Sequence, residues 1–251
     1  MKKELTLFLL LTFCIPAVMV YLQTLISDSP VCFILFGIQA ASPSISAVMI
    51  LIAGKNGRAL ADMFRGDIKK SVVLPAVIVP VSMILPKGIY CVLSDKPFTT
   101  GEISSSQFII ILWALVAEEI GWRGYLEPHL RRLGINKHIT PLVVGVIWSL
   151  WHYHYFLQNR IDVPIILFLL TCIIESYIYS LILQTADNNV LSAMMYHFLY
   201  NLMIHITAID PSENNGSTVP YILLTVTEAA IAGILAVTKY KRQNGGNNGR
   251  N

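Results

Sequence analysis

Charged side chains are scarce in this sequence. Asp, Glu, Lys and Arg make up only 13% of the 251 residues, whereas 55% are hydrophobic. Soluble domains carry about a quarter charged residues, so this composition excludes an ordinary soluble protein and predicts a polytopic membrane protein. The net charge of +3 is small and spread along the chain, so we expect no nucleic-acid partner.

Cysteine is also scarce, with four residues far apart in the chain and no CxxC pair. This spacing excludes a disulfide framework and a zinc knuckle. We interpret the four cysteines as packing residues: Cys14, Cys32, Cys91 and Cys172.

Long apolar runs dominate what is present. Windows of about 20 apolar residues predict an all-α fold with eight transmembrane helices around an intramembrane active-site cavity. We expect one helical domain over residues 1–242, with its catalytic core at about 106–209. Residues 243–251 are rich in Gly and Asn and predict a disordered tail. The expected spans are 5–26, 31–53, 72–93, 106–128, 139–157, 162–184, 190–209 and 219–239.

The basic residues predict the orientation of an integral membrane protein, which would lie in the cell membrane of a prokaryote. Fourteen of the 18 Lys and Arg fall at the two termini, between spans two and three, or after span four. By the positive-inside rule, both termini are cytoplasmic. Within the 54–71 connection, one apolar stripe is compatible with an interfacial helix and equally with a solvated loop. The stripe consists of Leu60, Met63, Phe64 and Ile68.

Three charged residues, Glu118, Glu119 and Arg123, interrupt the apolar run from Phe108 to Tyr125. Each ionised side chain at membrane depth costs at least a few kcal/mol, so it needs a partner or a function. Glu119 and Arg123 are four residues apart on a helix and are expected to form an ion pair, either structural or functional.

Glu118 is left without a partner on its own helix. It projects about 100° away from Glu119 and lies five residues from Arg123, so its partner must come from another helix. A desolvated carboxylate without its own counter-ion has the proton affinity that a general base needs near neutral pH.

Span five carries His152 near its middle. An imidazole there can hold or relay a proton, although a lone membrane histidine is more often a hydrogen-bond donor between helices. His154 lies about 200° further round the helix, so we expect it at the outer interface.

Span seven carries His197 and Asn201, four residues apart on one face, with His205 one turn further along. Two neutral donors on one helix could stabilise an oxyanion, or simply bond to neighbouring helices. Glu175 and Glu228, in spans six and eight, could line the substrate cavity or bond to neighbouring helices, and we favour the second interpretation. Because three spans bring polar residues to one depth, the sequence indicates a hydrolytic site.

These residues carry a resemblance to a known family. Residues 118–123 resemble the EExxxR motif of the CAAX protease and bacteriocin-processing (CPBP, or Abi) intramembrane proteases, which include type II CAAX prenyl endopeptidases. Trp148 to His152 is similar to their FxxxH motif, and His197 to Asn201 to their Hxxx(N/B) motif. The resemblance covers spans four to seven. Trp148 replaces the usual Phe, which we interpret as a change in packing rather than chemistry.

The resemblance implies a role for each matching residue. Glu118 and His152 would activate the attacking water, His197 and Asn201 would stabilise the oxyanion, and the pair of Glu119 and Arg123 would support them. A zinc ion on Glu118, His152 and His197 is an alternative, but no HExxH motif fixes such a site. We therefore favour hydrolysis without a metal.

The leading hypothesis is an intramembrane protease that cuts a peptide bond within the membrane or at its cytoplasmic edge. The resemblance implies a peptide or lipidated-peptide substrate: a prenylated CAAX C-terminus, or in a prokaryote a peptide such as a bacteriocin leader. One alternative is a non-catalytic protein, either a bacteriocin self-immunity factor or a membrane scaffold. Another is a transporter or channel that uses the charges as a relay. In each case membrane lipid surrounds the protein.

Overall fold

The fold is described from a computed structural model that covers residues 2–26 and 29–245, the last four by their backbone alone. These residues form helices and no strand. A π-helical turn, Ile120–Leu126, lies between α6 and α7, and a 3₁₀ turn, Pro211–Asn214, precedes α12. The α-helices are α1 (Lys2–Leu25), α2 (Val31–Ala40), α3 (Ser42–Ala53), α4 (Gly57–Asp62), α5 (Ile68–Ser94), α6 (Ser105–Ala117), α7 (Glu127–Arg132), α8 (Thr140–Trp151), α9 (Tyr153–Leu157), α10 (Ile165–Thr185), α11 (Leu191–Thr207) and α12 (Val219–Gly245).

Helices occupy all eight regions in which spans were predicted, and the all-α membrane class is confirmed. Five helical segments of the described chain are long and apolar enough to cross a membrane. A sixth results if α2 and α3, which are bent by 67°, form one span. α8 and α11 have only 12 and 17 residues. The number of eight therefore stays a prediction. The five segments are Lys2–Leu25, Ile68–Ser94, Ser105–Arg132, Ile165–Thr185 and Val219–Lys241.

The segment from α6 to α7 forms one candidate span that continues to Arg132, as the sequence predicts. It begins with a capping box in which Ser104 and Gln107 bond each other's backbone N–H groups. α6 ends because Glu118 leaves helical geometry, with φ of −123°, and the π-helical turn follows. The turn was not predicted, and such turns occur frequently at functional sites.

The bend between α2 and α3 lets the start of α3 approach this π-helical turn. Gly121 makes the approach possible, because a Cβ there would lie 2.5 Å from the Pro43 carbonyl carbon. The Trp151 indole N–H reaches the Ser42 hydroxyl at 3.0 Å and the Thr12 carbonyl at 3.1 Å. These contacts tie α1, α3 and α8 together around the charged centre.

Between α3 and α5, only the six residues of α4 are helical. The connection is held to the bundle by its backbone: Val190 N–H donates to the Met63 carbonyl at 2.8 Å. Phe64 and Ile68 are exposed, whereas Leu60 and Met63, the other half of the predicted apolar stripe, pack against the core. At the other end of the chain, α12 includes residues 243–245, and the rest of the predicted disordered tail lies outside the described residues.

A buried lysine anchors the connection between α11 and α12. The Lys87 ammonium, on α5, donates to the Ala208 carbonyl at 2.9 Å and to Asn214 Oδ1 at 3.1 Å. Ala208 adopts the left-handed conformation, with φ of 48°, which ends α11. The connection therefore has a fixed path across one end of the bundle.

We expect Gly121→Ala to destabilise the protein by about 1–3 kcal/mol, because the new methyl group meets backbone atoms that cannot move aside. Gly233→Ala is the matched control. It also replaces a glycine within a helix, but a Cβ at this position has no atom within 4 Å. Thermal unfolding in detergent should show a lower Tm for Gly121→Ala alone. Equal Tm values for the two variants would contradict the tight approach of α3.

A second prediction concerns pH. Burial, together with the nearby Asp162 and Glu213, raises the pKa of Asp210 to about 7. In the unfolded chain an aspartate has a pKa of about 3.9, so between about pH 4 and 7 only the folded state keeps this proton. The unfolded state then binds fewer protons, and stability falls as the pH rises through this window.

Asp210→Asn removes this dependence. The Tm of the variant minus the Tm of the wild type should therefore increase from pH 4 to pH 7 and stay constant above pH 8. Asp95→Asn changes an exposed carboxyl group and provides the control. A Tm difference that did not vary with pH would show that Asp210 titrates normally.

Candidate active site

Glu119 and Arg123 form the ion pair that their spacing predicts. Arg123 Nη1 donates to both carboxylate oxygens of Glu119, at 3.0 and 2.9 Å, and neither side chain is exposed. The guanidinium also lies over two rings, 4.0 Å from the Tyr179 centroid and 4.7 Å from that of Trp148. A guanidinium suits this position because it can stack on rings while it donates in its own plane.

His197 joins this pair from α11. Its Nδ1 is 2.8 Å from Glu119 Oε1, and because a carboxylate can only accept, the proton lies on Nδ1. Its Nε2 is 3.9 Å from Glu118 Oε1, which is too far for a hydrogen bond. The sequence predicted His197 as an oxyanion donor and missed its contact with Glu119.

Glu118 has partners on its own segment and on α8. Its Oε2 accepts the indole N–H of Trp148 at 2.7 Å and that of Trp122 at 3.2 Å. The expectation of a partner on another helix is therefore confirmed by Trp148. The interpretation that Trp in place of Phe changes only packing was wrong, because the indole N–H is a donor that phenylalanine lacks.

His152 lies where α8 ends and α9 begins. Its Nδ1 is 2.8 Å from the Trp148 carbonyl oxygen, so Nδ1 carries the proton and Nε2 keeps a free lone pair. His154 is fully buried, with Nδ1 2.7 Å from Gln39 Nε2. The prediction that His154 lies at the outer interface was wrong, because the polar side chain of Gln39 on α2 covers that face.

A cavity of about 240 Å³ brings the candidate residues together. His152, His197 and Asn201 line it, and Glu118 lies beside its inner end, next to His197. Its other end is formed by the connections 158–164 and 208–218, which contribute Asp162 and Asp210. The geometry therefore unites the predicted site residues from the segment around α6, from α8 and from α11.

Two other buried carboxyl groups lie near this cavity. Glu175 lines it, which is the first of the two alternatives that the sequence left open for this residue. Glu228 is fully buried, and the Tyr200 hydroxyl lies close to it.

The described residues do not provide a metal site. No three His, Cys, Asp or Glu side chains within this part of the chain are arranged to hold an ion. In the proposed ligand set, His152 and His197 each donate from Nδ1, which leaves each Nε2 free, and Glu118 keeps Oε1 free. A histidine that donates its other N–H to a carboxylate or carbonyl is also typical of zinc sites, so these hydrogen bonds do not exclude a metal ion. No step below depends on one.

A larger cavity, of about 710 Å³, lies at the opposite end of the bundle. Arg123, Tyr125 and Glu127 line it together with residues of the basic connections. It contacts the ion pair through Arg123, whereas His152, His197 and Asn201 line the smaller cavity described above. Of these two cavities, the smaller one is therefore lined by the histidine pair, and Glu118 lies 3.9 Å from one member of that pair.

Comparison with known proteins adds an independent observation. Residues 102–203 match the family described as type II CAAX prenyl endopeptidase Rce1-like. A curated protein of Methanococcus maripaludis, named CAAX prenyl protease 2, is 29% identical over 150 residues. That alignment covers 54% of this chain and 54% of the relative, so the chain matches about half of the relative's length. The matched region contains every candidate residue from Glu118 to Asn201, and over this region the chain is similar to the Rce1-like family.

Proposed function

We propose that this chain is an intramembrane endopeptidase that hydrolyses a peptide bond of a membrane-associated substrate. The observation that carries the proposal is the position of His197, between the carboxylates of Glu118 and Glu119 at the inner end of a polar cavity. A base, imidazoles and an amide around one cavity are the groups that peptide hydrolysis requires. The match to an Rce1-like endopeptidase family supports the same reaction class.

Glu118 is the general base in this proposal. Its Oε1 takes a proton from water while the water oxygen bonds to the carbonyl carbon of the substrate. His152 holds the same water through Nε2, which is free because Nδ1 donates to the Trp148 carbonyl. When the C–N bond breaks, the proton on Glu118 passes to the leaving amine. One water is consumed, and the protein returns to its starting state.

His197 and Asn201 stabilise the oxyanion of the tetrahedral intermediate. The Asn201 amide can donate directly. His197 donates from Nε2 only when it carries a second proton, because its Nδ1–H already faces Glu119. The two adjacent carboxylates balance the charge of that imidazolium. Arg123 supports the site by neutralising Glu119, which then serves both the arginine and the histidine.

We propose a peptide or prenylated-peptide substrate, because the matched relative is named a CAAX prenyl protease. The cavity of about 240 Å³ is smaller than the roughly 300 Å³ at which pockets begin to enclose a drug-sized ligand. It therefore takes the scissile bond and a neighbouring side chain. A prenyl group would lie outside it, against the apolar surface that the helices expose to lipid.

We propose that the substrate reaches Glu118 through this cavity. The cavity is lined at one end by the connections 158–164 and 208–218. The predicted orientation puts that end outside the cytoplasm, whereas the sequence-based hypothesis put cleavage within the membrane or at its cytoplasmic edge. For a substrate that uses this cavity, cleavage within the membrane is compatible with that orientation and cleavage at the cytoplasmic edge is not. We expect the substrate to enter from the side of the membrane on which Ser212 lies.

The test of the reaction is mass spectrometry of farnesylated and unmodified reporter peptides incubated with the purified protein. We expect Glu118→Gln and His152→Ala to lower kcat by about 10²- to 10⁴-fold, the range that a general acid or base contributes. His138→Ala, in the connection between α7 and α8, is the control and should cleave normally.

Thermal unfolding should first establish that the variants are folded. Wild-type rates for both Glu118→Gln and His152→Ala would contradict the assignment. If cells that carry the Glu118→Gln variant kept their immunity to a bacteriocin, this result would instead favour the non-catalytic alternative.

We also propose that catalysis needs no metal ion. Extended dialysis against a strong chelator should leave kcat unchanged, with metal content verified by elemental analysis. Activity that disappears with the metal and returns with added Zn²⁺ would overturn this proposal. A matched sample dialysed without chelator controls for slow inactivation in detergent.

A further inference from the structure

Two indole N–H groups converge on one oxygen of Glu118. Trp122 reaches Oε2 from the π-helical turn at 3.2 Å, and Trp148 reaches the same atom from α8 at 2.7 Å. No indole bonds Oε1, which faces His197 Nε2 at 3.9 Å. In water the two oxygens of a carboxylate are chemically equivalent. The two indole hydrogen bonds on Oε2 make them unequal in Glu118.

Both indoles are held by close packing. The Trp122 ring is fully buried and packs edge-on against Phe8 and Trp151, with ring centroids 6.0 and 5.8 Å apart. The Trp148 ring packs edge-on against Tyr179 at 5.8 Å and carries the Arg123 guanidinium 4.7 Å from its centroid. Neither donor can turn away without disturbing these neighbours, so both are preorganised before a substrate binds.

Trp148 also connects the two groups that activate water in the proposed function. Its side chain bonds Glu118, and its backbone carbonyl accepts the Nδ1–H of His152 at 2.8 Å. One residue of α8 therefore sets the orientation of the carboxylate and the tautomer of the imidazole.

We propose that Trp122 and Trp148 are positioning residues that clamp Glu118 through Oε2, so that Oε1 is the oxygen that accepts the proton of the attacking water. This inference rests on the proposed function, because it specifies which atom of its general base reacts. The phenylalanine that the resembled motif carries at position 148 could not supply this bond.

The decisive variant keeps the shape of the ring and removes the donor. Replacement of Trp148 by 3-benzothienylalanine, through a suppressed stop codon, substitutes sulfur for the indole N–H. We expect kcat to fall about 10- to 100-fold, the factor that accompanies loss of a hydrogen bond to a charged group. KM should change less than about two-fold, because the clamp does not touch the substrate. A wild-type kcat in this protein would overturn the clamp.

Trp148→Phe and Trp122→Phe provide a double-mutant cycle. Because both indoles hold the same oxygen, the double variant should lose more activity than the product of the two single effects. Trp113→Phe is the control: it also loses an indole N–H, but one that donates to the Gly37 carbonyl. Its kcat should stay within about two-fold of the wild type. An equal loss of kcat in Trp113→Phe would show that the loss does not come from the clamp.

Infrared spectroscopy separates failure of the clamp from failure of the proposed function. The difference spectrum between the wild type and Glu118→Gln isolates the carboxyl vibration of residue 118. This band should shift when the sulfur isostere replaces Trp148 and should not shift in Trp113→Phe. If the wild type cleaves no peptide, the proposed function fails, yet the shift still tests the clamp. An unshifted band would overturn the clamp regardless of activity.

Discussion

The structure depends on the carboxylate of Glu119, which is shared by Arg123 and His197. Removal of one partner from a buried ion pair costs about 3–5 kcal/mol, because the remaining charge is left without compensation. The shared carboxylate therefore fixes α11 against the segment that follows α6. It also leaves Glu118, the adjacent residue, beside His197 and with no Lys or Arg of the described chain bonded to it. One interaction thus supplies both the stability of the centre and the free carboxylate.

The spacing of residues along one helix predicted those contacts of the centre that lie within one helix. The pairing of Glu119 with Arg123 follows from their separation of four residues, and the exclusion of Glu118 follows from the same geometry. The bond between Glu119 and His197 joins residues 78 positions apart. No periodicity within one helix contains that information. The role of Trp148 was missed for a related reason, since a substitution of one aromatic residue for another reveals a new donor only when its acceptor is known.

The incorrect predictions share a physical cause. His154 was expected at an interface because its helical face is opposite that of His152, but α2 supplies Gln39 to that face. Polar residues from different helices can satisfy one another wherever the helices meet, so the angular position of a residue alone does not distinguish a surface from an interface. The bend between α2 and α3 was also missed: it falls at Pro43, in the first turn of α3, and the apolar window 31–53 did not register this helix breaker.

The short helices explain why a cavity exists in a closely packed bundle. α8 ends at Trp151, and α11 has 17 residues, whereas α5 and α12 each have 27. Where α8 and α11 stop, the connections 158–164 and 208–218 complete the wall instead of regular helix. Lys87 holds one of these connections by its backbone carbonyl at Ala208, so the space is kept open by a fixed strap. Irregular backbone at this depth is tolerated in membrane proteins where it lines a polar cavity. The helices too short to qualify as spans are therefore the ones whose ends create room for a substrate beside Glu118.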